Sequence, residues 1–281
     1  MRSISPIATA NKIVDHVRIR LSSLTRREKH VLFAIVTAVN VASFFTFWEL
    51  YATYSGVPTL FLPKFSAVVA EVPMMHAEGI LLPNFWISLK NYATGLTIGV
   101  ALGLPLAYAI GGIKILDRIL SPYLWALFST PRILLVPLIF LWVGIGNNAR
   151  LAIVIITVIP SLAVVVMEGV KTTDPTMIRA ARVFGANRMR LITHVVLPST
   201  VPFIGTGLRM AMLRGLIGLY IGELFLTANG IGYIIMRASS IFDTARVFAT
   251  LLLFVAFAIS GLFVTRYVEG KLTAWRAPVK L

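Results

Sequence analysis

Asp174-Pro175, then Arg179-Ala180-Ala181-Arg182-Val183-Phe184-Gly185-Ala186, closed by Val195-Val196-Leu197-Pro198, lies between two apolar runs at 151–167 and 201–221. Each run is about long enough to cross a hydrocarbon core. Asp174 can cap the free amides of a helix starting at Pro175, because proline at the first helical position gives up no hydrogen bond. Met177, Ile178, Ala181 and Phe184 then fall on one apolar stripe, with Arg179 and Arg182 directed elsewhere. Gly185 admits the left-handed conformation that stops a helix. A second segment, 187–196, ends at Pro198, whose ring disrupts the helical ladder where the next apolar run begins. The polar, basic region 168–198 is therefore expected to present a short helix roughly parallel to the membrane. Two uses of that helix are open: a docking element for another protein, approached past the small Ala180 and Ala181, or an amphipathic helix resting on lipid.

Working outward, apolar runs recur at 31–51, 92–110, 120–143, 151–167, 201–221 and 247–264. The expected fold is an all-α membrane protein with six transmembrane helices. Composition agrees: the 281 residues are 58% hydrophobic and 13% charged, and a mean hydropathy of +0.86 is too apolar for a soluble domain of this length. The formal charge of +15 does not indicate nucleic acid, because the basic residues sit between spans rather than along one face. With the N-terminus placed inside, 18 of the 26 Lys and Arg fall on the inner side and 5 on the outer, with Arg132, Arg209 and Arg214 inside spans. Positive charge near span ends is retained in the cytoplasm, which puts both termini and the 168–198 loop there.

Four segments follow from this layout: an inner N-terminal stretch 1–30, the spanning domain 31–267, the inner loop 168–198 within it, and an inner tail 268–281. In the first, Ile13, Val14, Val17, Leu21 and Leu24 recur at helical spacing beside Lys12, Arg18 and Arg20, which suits an amphipathic helix on the inner leaflet; a solvated basic tail is the alternative. Charge interrupts the apolar residues there, so no secretory cleavage pattern forms. The outer segment 56–84 carries Pro58, Pro63, Pro73 and Pro83 and is expected to break into short pieces. Within the spans, Gly95, Gly99 and Gly103 repeat every four residues, and Gly215, Gly218 and Gly222 nearly so, as at helix faces that let a neighbouring backbone come close.

Arg132 stands about twelve residues into the third run, about 18 Å deep at 1.5 Å per residue, and Arg214 is similarly placed in the fifth. A guanidinium at that depth costs a few kcal/mol unless it faces water, a carboxylate or backbone carbonyls. Two roles are open, a path for an anion or a tie between helices through carbonyls. Arg209, nearer the inner end, can snorkel. Glu223, at the outer end of the fifth run, either pairs with an arginine or gates the outer mouth; helical phase puts it about 40° from Arg209 and nearly opposite Arg214. Arg132, Arg209, Arg214 and Glu223 are thus the candidate path residues.

Enzymatic chemistry finds little support. Cysteine is absent, the four histidines are scattered, and no metal-ligand spacing occurs. Gly270-Lys271 is followed by Leu272, without the glycine arrangement of a phosphate loop, so no nucleotide cofactor is expected on this chain. Neither H-E-x-x-H nor G-x-S-x-G is present, and no close pair of carboxylates lies within the spans to act as acid and base.

At Ala180-Ala181, Gly185, Val195 and Leu197-Pro198 the chain resembles the E-A-A loop of permease subunits from bacterial ABC importers. Pro131-Arg132, Val136-Pro137-Leu138 and Leu141-Trp142-Val143-Gly144-Ile145-Gly146 are similar to the third-span segment of the nitrate/sulfonate/taurine branch, and Glu223 with Gly230-Ile231-Gly232-Tyr233-Ile234 to its segment after the fifth. The resemblance implies the type I ABC importer permease fold in a bacterial inner membrane. It also implies a coupling helix carried by Asp174, Pro175, Ala180, Ala181, Arg182, Phe184, Gly185, Ala186 and Pro198. The implied partners are a cytoplasmic ATP-binding subunit dimer that holds ATP and Mg, a solute-binding protein outside, and a second copy of this chain. The implied cargo is a small anion such as a sulfonate, nitrate, taurine-like compound or organic acid. One departure stands out: the family's leading Glu is Arg179 here, which calls for a compensating acidic residue on the ATPase. Two rivals differ in their needs. An ion-coupled secondary transporter would carry a deep Asp or Glu or paired broken helices, and an assembly protein without a path would have no use for deep arginines.

Overall fold

A computed structural model describes residues 25–225 and 228–272, and every described element is helical. The amphipathic helix expected within 1–30 and most of the tail lie outside these residues. In chain order the elements are α1 (Arg26–Tyr54), α2 (Phe65–Ala77), α3 (Leu81–Gly112), α4 (Lys114–Ser129), a 3-10 turn (Arg132–Leu135), α5 (Val136–Val143), α6 (Asn147–Lys171), α7 (Pro175–Val183), α8 (Arg188–Leu191), a π turn (Ile192–Val196), α9 (Leu197–Phe225), α10 (Ile231–Ser240) and α11 (Thr244–Leu272). Among the described residues, five stretches are long and apolar enough to cross a membrane singly, and the pair α4 and α5 forms a sixth only as a broken span.

Two compact units divide the chain at Ala67. In the first, α1 opens with a reciprocal cap: the Thr25 hydroxyl accepts from the Glu28 amide at 3.3 Å, and the Glu28 carboxylate accepts from the Thr25 amide at 2.7 Å. Near its other end the returning chain is tied back to the helix. The Trp48 indole donates to the Pro63 carbonyl at 3.0 Å, the Glu49 carboxylate accepts from both the amide and the hydroxyl of Ser66 at 2.9 Å, and Phe45 stacks on Phe65 at 4.2 Å. Of the expected short outer pieces, one is a thirteen-residue helix, α2, which runs on through Pro73.

The second unit is organised around α6. Ile153, Val154, Val158, Leu162, Val166 and Met167 of α6 are all buried, with α3 packed on one side and α9 on the other. Both neighbours present glycine. A Cβ built on Gly95 would lie 2.6 Å from a Val154 methyl, one on Gly99 2.7 Å from Val158 Cβ, and one on Gly103 3.3 Å from the Ile159 carbonyl. From α9, Gly215, Gly218 and Gly222 meet Val158, Thr157 and Ile153 at 2.9 Å each. Spacings of three or four residues place one glycine per turn on a single face, so both helices approach to backbone range and van der Waals contact replaces the hydrophobic drive that lipid does not supply. Buried hydroxyls are satisfied locally, Thr157 donating to Ile153 O and Ser161 to Thr157 O at 2.7 Å. Tyr92 crosses from α3 to donate to Met212 O at 2.9 Å on α9.

Two expectations need correction. The run at 120–143 is not one continuous span: α4 and the following helical pieces meet at a 105° bend. Pro131 forces the residue before it out of the helical region, and Thr130 is extended with ψ 129. The depth assigned to Arg132 assumed a straight helix, so it does not carry over. Pro198 does not separate 187–196 from the fifth span either. Its missing amide is absorbed upstream by the π turn, and helix continues from Arg188 to Phe225, past Gly222.

Candidate functional site

The loop between α6 and α9 folds as its local chemistry dictates. Asp174 accepts from the Thr176 amide at 2.7 Å, Pro175 opens α7, and Gly185 takes φ +76. The Gly185 amide donates to Arg182 O at 3.0 Å and that of Ala186 to Ala181 O at 2.9 Å, so the last carbonyls of α7 are satisfied by a Schellman arrangement. Asn187 caps the next helix, its side chain accepting from the Arg190 amide at 2.8 Å. The apolar stripe is divided. Ile178 and Ala181 are half-buried, whereas Met177, Val183 and Phe184 are 58%, 85% and 89% exposed. Ala180 is exposed beside them. Arg182, expected to point away from the stripe, instead shares the Ile178 side, one turn on. Arg179 reaches only to the Thr176 hydroxyl, at 3.3 Å.

Arg132 and Arg214 come together at the bend. Arg132 Nη1 donates to Phe128 O at 2.9 Å and to Thr130 O at 2.7 Å, and Arg214 Nη1 donates to the same Phe128 O at 3.1 Å. The Arg214 guanidinium also lies 4.1 Å over the Phe128 ring. The broken ladder thus leaves carbonyls that two cations from distant parts of the chain satisfy. The Arg132 Nη2 group is buried with no hydrogen-bond partner among the described residues. Two guanidinium groups on one carbonyl repel each other, and a site of that kind is stabilised by a negative charge placed between them. Arg209, also on α9, lies five residues earlier, about 140° around the helix from Arg214.

Glu223 is not with them. It is fully buried and forms an ion pair with the equally buried Arg150, Oε1 to Nη1 at 3.5 Å. Of the two expected roles, the structure realises the pairing. Ser88 donates to the same oxygen at 2.6 Å, and the Gly232 amide donates to Oε2 at 2.9 Å. The Ile231 amide donates to Ser88 Oγ at 2.9 Å, and the Gly230 amide to Asn84 Oδ1 at 2.6 Å. Arg150 Nη2 donates to Asn229, through its carbonyl at 3.0 Å and its side-chain oxygen. Gly230 adopts φ +103, and a Cβ there would collide with the Glu223 carboxylate. The network pins the start of α10 against α3, α6 and α9.

Arg150 is one of the five basic residues that the charge count puts on the outer side, and no local pattern marks Ser88, Asn84 or Asn229. Arg150 borders an apolar run, and nothing local separates a loop arginine from one folded inward. The available signal was Glu223 beside Gly230-Ile231-Gly232, a lone carboxylate next to two glycines with free amides. Two further ion-pair groups sit at opposite ends of the unit. Lys171 bonds Asp117 at 2.7 Å and Glu168 at 3.3 Å, and Arg246 draws in Glu71, Glu78 and Asp243 at 3.1, 2.9 and 3.3 Å. Among the described residues, no three His, Asp or Glu side chains gather as a metal site.

Residues 95–274 match the family model described as binding-protein-dependent transport system inner membrane component. Among relatives, the taurine transport system permease protein TauC of Escherichia coli is 27% identical over 86% of this chain and 90% of its own length. The aliphatic sulfonates transport permease protein SsuC of Bacillus subtilis, itself a putative assignment, is 28% identical over 82% of this chain and 83% of its own. Among solved structures, the inward-facing MetNI methionine ABC transporter aligns with TM-score 0.63 and 21% identity, covering 72% of this chain and 98% of that one. The likeness establishes a shared fold.

Proposed function

Because this chain belongs to the family of inner-membrane components of binding-protein-dependent transport systems, we propose that it is the membrane-spanning permease subunit of an ATP-driven importer for a small anion, with α7 as its coupling helix. The observation that carries this reading is the α7 surface. A helix capped at both ends holds Met177, Val183 and Phe184 out into solvent, where nothing else on the described chain covers them. Exposed apolar side chains on a rigid, short helix in an otherwise polar loop fit the groove of another protein.

Lys and Arg distribution puts that loop in the cytoplasm, along with both termini. There a dimer of separate ATP-binding subunits, holding ATP and Mg, moves α7 and so biases the inward- and outward-facing states of a permease pair, most simply two copies of this chain. A solute-binding protein delivers cargo on the other side. The anion reading rests on Arg132 and Arg214 converging at the bend, and it agrees with the sulfonate and taurine assignments of the relatives.

The test is reconstitution with a cognate ATP-binding subunit and solute-binding protein. ATP-dependent uptake of a sulfonate or related anion into proteoliposomes is the expected result. Uptake that proceeds without any ATP-hydrolysing partner, driven by an ion gradient alone, would refute it.

A further inference from the structure

Beneath α7, on the side away from Met177, Ala180 and Phe184, lies a cavity of about 510 Å³ formed by the ends of α3 and α6, α7, α8 and the π turn. Its walls are mostly apolar, supplied by Ile113, Val170, Ile178, Leu191, Ile192 and Val196, with Tyr108 and Thr173 among them. Its rim is cationic, with Lys171, Arg182 and Arg188. Lys171 is already neutralised by Asp117 and Glu168. The guanidinium groups of Arg182 and Arg188 make no hydrogen bond or ion pair with any described residue and so bring two uncompensated charges to the opening. Gly112, an exposed lining residue at the end of α3, has room for a side chain, since a Cβ there would touch nothing within 4 Å.

We propose that this cavity holds the headgroup and proximal acyl chain of an anionic phospholipid, with Arg182 and Arg188 on the phosphodiester. A small soluble anion would leave the apolar walls wet, whereas an amphiphile buries them and answers both charges together. The position fits, since the cavity opens where α3 and α6 end, and by the charge distribution that is the cytoplasmic leaflet, the one point that rests on the orientation given above. The faces are also separate: Met177, Ala180 and Phe184 lie about 100–160° around α7 from Ile178, so a protein on the exposed side and a lipid on the inner side do not compete. A bound lipid then fills the space between the membrane body and the lever, which makes coupling sensitive to leaflet composition.

The experiment is native mass spectrometry of the full chain with dioctanoyl phosphatidylglycerol, dioctanoyl phosphatidylcholine and inorganic phosphate as separate probes. Phosphatidylglycerol should bind selectively over phosphatidylcholine. Selective binding should fall about 30-fold in Arg182→Gln/Arg188→Gln, at about fivefold per basic residue. It should also fall in Gly112→Leu, which adds bulk to the cavity lining with both arginines intact, and be kept in Arg179→Gln, which is not a lining residue. Equal binding of the two lipids, or unchanged binding in the double variant, would overturn the proposal. Displacement by inorganic phosphate at equal concentration would reassign the site to a soluble anion, and displacement by added ATPase subunit would reassign it to protein. None of these readouts requires transport, so failure here is distinct from failure of the permease reading.

Discussion

Substituting one member of the Arg150–Glu223 pair should be among the most damaging single changes in this chain. Both side chains are essentially inaccessible, at 1% and 0% exposure, and their charged atoms are 3.5 Å apart. At an effective dielectric of about 20, unit charges at that separation attract by about 5 kcal/mol. That attraction offsets the cost of desolvating both, so the net value of the pair is small, but losing one partner leaves the other charge uncompensated at a cost of about 3–5 kcal/mol. Arg150 also sits in the first turn of α6, where the helix dipole disfavours a cation, and Glu223 relieves that as well. Glu223→Leu additionally strips an acceptor from Ser88 and from the Gly232 amide. Arg150→Met and Glu223→Leu should therefore each lose about 3–5 kcal/mol in reversible denaturant unfolding of the purified chain in micelles. The double variant should lose less than the two single losses added together, by a coupling of about 1–3 kcal/mol. Single variants within about 0.5 kcal/mol of the parent, or a double variant equal to the sum, would refute the pairing.

Other outcomes follow from the same geometry. Gly99→Ala should destabilise by about 1–3 kcal/mol, because its methyl would press on Val158, while Gly112→Ala, facing open space, should stay within about 0.5 kcal/mol; thermal aggregation of the solubilised protein separates them. Gly185→Val places a β-branched residue at φ +76, at about 1–2 kcal/mol of strain, and should abolish ATP-driven uptake and ATPase co-purification while membrane insertion, followed by fractionation, is unchanged. Asp174→Ala removes the α7 cap at about 1 kcal/mol and should weaken ATPase co-purification without abolishing it. Arg214→Leu should lower anion uptake about tenfold, the worth of one charge-assisted hydrogen bond, with the complex still assembled on size exclusion.

What could be read in advance was whatever depended on near neighbours in the chain. The cap at Asp174, the stop at Gly185 and the glycine seam of α3 are each fixed by residues within a turn or two, so spacing alone located them. The bend after Ser129 was partly visible in Pro131, but a proline kinks one helix and ends another, and the choice here is made by carbonyls finding Arg132 and the remote Arg214. Arg150 and Glu223 lie 73 positions apart and Ser88 is 135 from Glu223. Their meeting is a property of packed helices that no periodicity encodes. Arg182 was misdirected for a related reason: a polar residue one turn from Ile178 was taken to avoid the apolar side, whereas that side opens on a cavity with a charged rim.

The glycine seams have a mechanical corollary. Helices that slide past one another need side chains as bearings, and at the glycine positions of α3 and α9 there are none, since Val154, Val158 and Ile153 of α6 are seated directly against bare backbone. These three helices therefore behave as a stator, and strokes transmitted from outside have to be taken up where the stack is soft. Within this unit the helical ladder is interrupted at the elbow between α4 and α5, whose freed carbonyls are held by Arg132 and Arg214 instead.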